Sequence, residues 1–239
     1  MKVIEGAELR CAGPYDLQGT IKDLEFRRCK VDTCQSPPRQ GGPDDRPVVR
    51  DVRVVRCHVS VSNLPPVIAE DCEVDTIWFH NGIWGPQRIV GCAFRHVVIR
   101  GDITGSVAFV PGPAIPGLRA TSSAVDDPYV AANRRFYEGV DWALDISEAN
   151  FTRVEFNSGI PADLIRRDPD TQVILRRSSL DGGRWQETVR DTLARIWIED
   201  LLLSGFDDTV LVAGKRDKRF RQAMASIGSL RDAGLLQAM

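Results

Sequence analysis

Histidine is nearly missing from this chain, with three in 239 residues, at positions 58, 80 and 96. Cysteine occurs six times but never as C-x-x-C, so the usual paired zinc and redox signatures are excluded. No apolar run approaches the roughly 20 residues that span a bilayer as a helix. The opening MKVIEGAELRCAGPYD holds no continuous apolar core of the kind a secretory leader needs. A cytoplasmic protein with reduced thiols is therefore expected, without membrane contact. Lys and Arg number 31 against 33 Asp and Glu, so the basic excess of a nucleic-acid binder is absent and nucleic acid is an unexpected partner. The chain also lacks G-x-S-x-G and H-E-x-x-H. VAGKR at 212–216 has neither the upstream glycine nor the Ser/Thr of a phosphate-binding loop. No catalytic residue, cofactor or metal is assigned.

What is present is a period of five. Val54, Val59, Leu64, Ala69, Val74, Phe79, Trp84, Ile89, Phe94 and Ile99 are all apolar. At the 43% hydrophobic content of this chain, chance gives such a run roughly once in several thousand registers. A second column lies two residues earlier: Val52, Cys57, Ser62, Val67, Cys72, Ile77, Gly82, Gln87, Cys92 and Val97. It is small or β-branched except near Gly82 and Gln87. Neither a helix, at 3.6, nor a strand, at 2, repeats at this interval.

Large residues at five-residue centres, each preceded two positions earlier by a small one, resemble the pentapeptide-repeat family. ANFTR at 149–153 is close to that family's A-(D/N)-L-x-x pattern, as is AELRC at 7–11, and LEFRRCKVDT from Leu24 gives two units in tandem. The resemblance covers roughly residues 5–175 with interruptions. It implies a mainly β fold: a right-handed four-sided β-helix with coils of 20 residues, both columns inward and Cys72 stacked on Cys92. Residues 1–180 would form it. Residues 181–239 would be a C-terminal α-helical cap or a segment for homodimerisation, because Trp185, Val189, Leu193, Ile196, Trp197 and Leu201 recur at helical spacing up to Gly205. A second helix is expected from about Asp217.

The register breaks at Gln35–Pro47, rich in Pro and Gly, and over about 104–140, where PGPAIPG precludes a strand interior. Long irregular insertions in compact folds are commonly functional. This one ends in DDPYVAANRRFYEG, read as a short helix. Candidate partner-binding residues are Tyr129, Arg134, Arg135 and Tyr137 there, with Trp78 and His80 on the same side. Trp78 falls one residue before a centre and should point outward. Metal binding is not expected, because the cysteines should point inward and His58 outward. The acidic group Glu70, Asp71, Glu73 and Asp75 is read as a solvated face, and the basic run Gly214–Arg221 as the solvated side of the last helix.

For function, the family resemblance implies a non-enzymatic bacterial binding protein that protects or inhibits by covering a protein partner, such as a toxin-neutralising immunity protein. Alternatives are an enzyme acting on polysaccharide through a carboxylate-bearing face and a gyrase-binding DNA mimic. The mixed charge of the outward positions argues against the mimic.

Overall fold

The computed structural model describes residues 1–10, 20–32, 42–60, 63–64, 66–80, 86–111, 128–157 and 159–236. Among the described residues fourteen strands form one sheet: β1 (Lys2–Glu5), β2 (Glu8–Arg10), β3 (Thr20–Arg27), β4 (Lys30–Asp32), β5 (Val48–Ser60), β6 (Asn63–Leu64), β7 (Ile68–Glu70), β8 (Glu73–Phe79), β9 (Gln87–Val90), β10 (Ala93–Arg95), β11 (Val97–Val110), β12 (Leu144–Asp145), β13 (Ala149–Phe156) and β14 (Ile165–Arg166). Every pairing in it is parallel. The helix α1 (Pro128–Tyr137) enters between β11 and β12.

Mainly β is therefore correct, but the regular four-sided β-helix of 20-residue coils with a helical cap is not what the structure shows. Lys2 pairs with Leu24, Leu24 with Val52, Val54 with Val74, Val74 with Ile99 and Val97 with Leu144, so the step between partners changes at each stage. The strands are also unequal. β5 spans 13 residues and β11 spans 14, each pairing with several shorter strands, whereas β6, β12 and β14 have two residues each. Segments of different length between paired strands destroy a constant repeat, although the five-residue pattern persists within a row.

The columns do form the core. Val59 and Phe94 are buried, and Val54, Val74, Phe79, Ile89 and Ile99 pack against the same apolar cluster. Leu64 and Trp84 lie outside the residues whose side chains are described. The small column is buried more deeply, with Val52, Cys57, Cys72, Ile77, Cys92 and Val97 all inside.

The predicted Cys72–Cys92 stack is wrong. β7 pairs with β10 at Ile68–Ala93, a step of 25, so Cys92 lies beside Val67 and Cys72 between Val52 and Val97. The neighbouring thiols are Cys29 and Cys57, one position before the Lys30–His58 pair. Four free cysteines are buried among the described residues. Their Sγ atoms find backbone acceptors, as in Cys29 to Ile4 O at 3.3 Å, Cys57 to Phe26 O at 3.4 Å and Cys72 to Val49 O at 3.4 Å. Burial pushes the Cys92 thiol up to about 11.

Bends between rows use left-handed backbone. Asp23, Asp51, Asp71 and His96 occupy equivalent positions on β3, β5, and the turns after β7 and β10, all at φ between 52° and 57°. Asp is among the residues that tolerate this region best. In the parallel series Arg28, Arg56 and Thr76, the next position is Gly101 at φ 70°, where a Cβ would collide with the Thr76 hydroxyl.

The C-terminal part is more than a helical cap. β15 (Gln172–Arg176) and β16 (Asp208–Val212) form an antiparallel pair, flanked by α2 (Trp185–Thr188), α3 (Thr192–Ser204) and α4 (Phe220–Asp232). These elements share a second core containing Leu175, Ile198, Leu201, Ile227 and Leu230. The single helix expected over 185–201 is broken. Asp191 restarts it as an N-cap, accepting from Ala194 N at 2.8 Å, and Gly205 at φ 78° ends it. The two cores meet where Thr209 Oγ1 donates to Phe156 O at 2.7 Å.

Candidate functional site

Strand alternation places two outward columns side by side on β2, β4, β5 and β8. One is Glu8, Lys30, His58 and Trp78; the other, two residues on, is Asp32, Ser60 and His80. The column between them, Leu9, Val31, Val59 and Phe79, alternates to the other face. Along and across the outward columns the rings are in contact, Trp78 over His58 and His58 edge to edge with His80. Trp78 lies 4.7 Å from His58 at 20°, and His58 lies 5.4 Å from His80 at 13°. His58 Nδ1 and His80 Nε2 are 3.1 Å apart. Lys30 Nζ reaches Glu8 at 3.2 Å. A groove of about 250 Å³ lies here, lined by Glu8, Lys30, Asp32, His58, Ser60 and His80 and also by Leu9 and Val31 of the intervening column.

The backbone under this groove is held from inside. His80 N–H donates to Val59 O at 2.9 Å, and Gln87 Nε2 donates to His80 O at 3.4 Å. Gln87 is 1% exposed and departs from the apolar small column. Its position is explained by that bond; its Oε1 finds no partner among the described residues.

Charged groups on neighbouring outward rows are ion-paired with one another. Glu70, nearly buried, is held by Arg50, with Nε at 3.0 Å, and by Arg95 at 3.2 Å. Arg53 and Arg100 both meet Glu73, Arg53 at 3.0 Å, while Arg100 also meets Asp75 at 3.4 Å. The acidic group expected to be a solvated face is therefore a cross-strand ion-pair ladder. Asp71 belongs instead to a clasp: His96 Nδ1 contacts it at 3.1 Å, and Nε2 contacts Asp141 at 2.6 Å. Hydrogen bonding to Asp141, then to Asp71, holds the imidazole above its ordinary pKa. Trp142 lies 4.9 Å from that ring and carries Arg166 on its other contact at 4.2 Å.

The remaining predicted partner residues divide. Tyr129 and Tyr137 are buried under α1, so they cannot meet a partner as expected. Tyr137 Oη accepts from Phe94 N–H at 3.3 Å, and burial raises its phenol pKa. The Tyr129 ring occupies the space a Cβ on Gly91 would need. Arg134 and Arg135 are exposed, with Arg135 4.0 Å from Asp44. The insertion also starts later than Thr104, since β11 continues to Val110; residues 112–127, with the expected N-cap Asp127, lie outside the described residues.

The expected common side is not formed either. Trp78 and His80 belong to the row of β4, β5 and β8, whereas α1 covers the corner at Gly91–Phe94. Sequence reading missed what anchors α1. Asn133, buried, donates to Cys92 O at 3.1 Å and accepts from Arg46, whose guanidinium also reaches Gly91 O at 2.9 Å. The basic run is likewise tied down, with Lys215 on Asp168 at 2.9 Å and Arg216 on Asp102.

Among the described residues no cluster of three or more His, Cys, Asp or Glu side chains could hold a metal ion, and no helix is long and apolar enough to cross a membrane. No family model, curated protein or solved structure matches the chain, so the pentapeptide resemblance rests on its own residues.

Proposed function

We propose that this chain is a non-enzymatic binding protein that covers a protein partner, as a toxin-neutralising immunity protein does, and that it meets the partner through the His58–Trp78–His80 row. One observation supports the reading above others. On the ladder rows the charged groups face one another in ion pairs, while this row carries stacked rings beside an open groove. Half-buried Trp on a rigid sheet loses little entropy on contact and is favoured among interface hot spots. Groups already paired within the sheet offer a partner less, because their bonds must break first.

The test is a parallel capture by wild type and by a Trp78→Ala/His80→Ala variant, followed by reconstitution with the purified partner. Binding lost in the variant at an unchanged melting temperature supports the assignment. Equal affinity of the purified partner for both proteins removes this row from the interface.

A further inference from the structure

We propose that the outer face of α3 is a docking surface for a basic amphipathic helix of another protein. Ile196, Glu199, Asp200 and Leu203 recur at the i, i+3, i+4, i+7 interval, so they form one stripe along α3. The opposite stripe, Ala194, Ile198 and Leu201, is buried in the second core. A surface helix ordinarily turns polar residues outward. Here Ile196 is 46% exposed and Leu203 80%. They stand two helical turns apart, with both carboxylates between them.

The carboxylates identify the occupant. Among the described residues Glu199, Asp200 and Glu155 of β13 have no hydrogen bond or ion pair, whereas the glutamates of the ladder rows are paired. Burial, then the adjacent Glu199 carboxylate, raises the Asp200 pKa. Glu155 is likewise raised by burial and further by Asp200, with Arg153 pulling the other way. Arg153 does not pair with it; its Nε lies 3.8 Å from Asp217 instead. Three acidic groups therefore gather beside an apolar stripe without a counter-charge in contact. A Lys or Arg placed there would neutralise them while apolar neighbours covered Ile196 and Leu203. A second copy of α3 fits poorly, because it would set Glu199 and Asp200 against their own counterparts. The matching helix carries apolar residues seven apart, with Lys or Arg three and four positions after the first. α3 belongs to the second core and not to the sheet that holds the His58–Trp78–His80 row, so this surface stands whether or not a protein meets that row.

The probe is a fluorescein-labelled alanine-based helical peptide with leucines seven apart and lysines at the two positions named. The full chain is titrated into it at neutral pH and anisotropy is read. The expected result is saturable binding of one peptide per chain, weakening as salt rises. Leu203→Glu, and separately Glu199→Lys with Asp200→Lys, should lower the affinity at least about tenfold. Trp78→Ala/His80→Ala should leave it unchanged, and the peptide with glutamates in place of its lysines should not bind. Circular dichroism checks that each variant is folded; Leu203→Ser and Asp200→Asn replace any that is not. Absence of saturation below about 1 mM chain overturns the proposal. Equal affinity in the folded Leu203→Glu variant, or binding lost only in Trp78→Ala/His80→Ala, does the same. So does a wild-type dimer in sedimentation equilibrium that Leu203→Glu renders monomeric, since a second copy would then occupy the face.

Discussion

Phe109→Ala should be among the most damaging single changes in the sheet. Phe109 is 1% exposed and lies in β11 directly between Ile89 of β9 and Phe156 of β13. Its ring stacks on Phe156 at 4.7 Å and 9°, and meets the edge of Phe94 at 5.8 Å and 69°. Truncating a buried Phe to Ala costs about 3–5 kcal/mol, including the cavity left behind. Two aromatic contacts, each worth about 0.5–1.5 kcal/mol, put this site toward the upper end. The neighbours are held by hydrogen-bonded strands on both sides, so the cavity cannot easily collapse. Phe109→Leu keeps most of the volume and loses the ring contacts, at about 1–2 kcal/mol. Leu203→Ala, at a position 80% exposed, should change stability by less than about 0.5 kcal/mol. Urea unfolding followed by circular dichroism measures all three, with midpoints compared at a common slope. A Phe109→Ala loss below about 1.5 kcal/mol would refute the reasoning, because it would mean that the rows do not pack on one another as described.

Gly101→Ala should cost about 1–3 kcal/mol, and clearly more than Gly182→Ala; both glycines have positive φ, but only at Gly101 does a Cβ meet Thr76 and Asp75. Equal melting temperatures for the two variants would contradict that. Asp191→Ala should cost about 1–2 kcal/mol, since Asp191 caps α3 and also accepts from Ser226 Oγ of α4 at 2.6 Å; Asp191→Asn should recover most of the loss in the same denaturation assay. His96 titrates above its ordinary 6.5, so its contribution to stability is fully present below that pH and is lost as pH rises through the raised value. Asp141, held below its ordinary 3.8, contributes above that pH and loses its share in acid. The stability gap between wild type and His96→Asn should therefore narrow between pH 6 and pH 9, and a gap constant over that range would remove the clasp from the account.

Periodicity made the inward residues legible, and it could do no more than that. A five-residue repeat states which side chains share a core, because every fifth residue returns to an equivalent place in a row. It does not state which row lies beside which, since that depends on the lengths of the segments between rows. The cysteines show the difference. Cys72 and Cys92 share a column and are 20 residues apart, yet the 25-residue step from Ile68 to Ala93 separates them, while Cys29 and Cys57, 28 apart, are brought together. The site followed the same rule. That Trp78 points outward was readable from its offset to the column. Its place beside His58 follows from a 20-residue step, the one expected, which holds where Val54 pairs with Val74; the same spacing fails between Cys72 and Cys92, and periodicity alone did not say where it would hold. Tyr129 and Tyr137 failed for another reason. Their residue type suits an interface, but a helix entering between strands of a sheet must first bury its own apolar side, and Gly91 leaves room there for an aromatic ring. Composition could not decide between those two uses of a tyrosine; the half-buried Asn133–Arg46 contact beside them could, and it joins residues 87 positions apart.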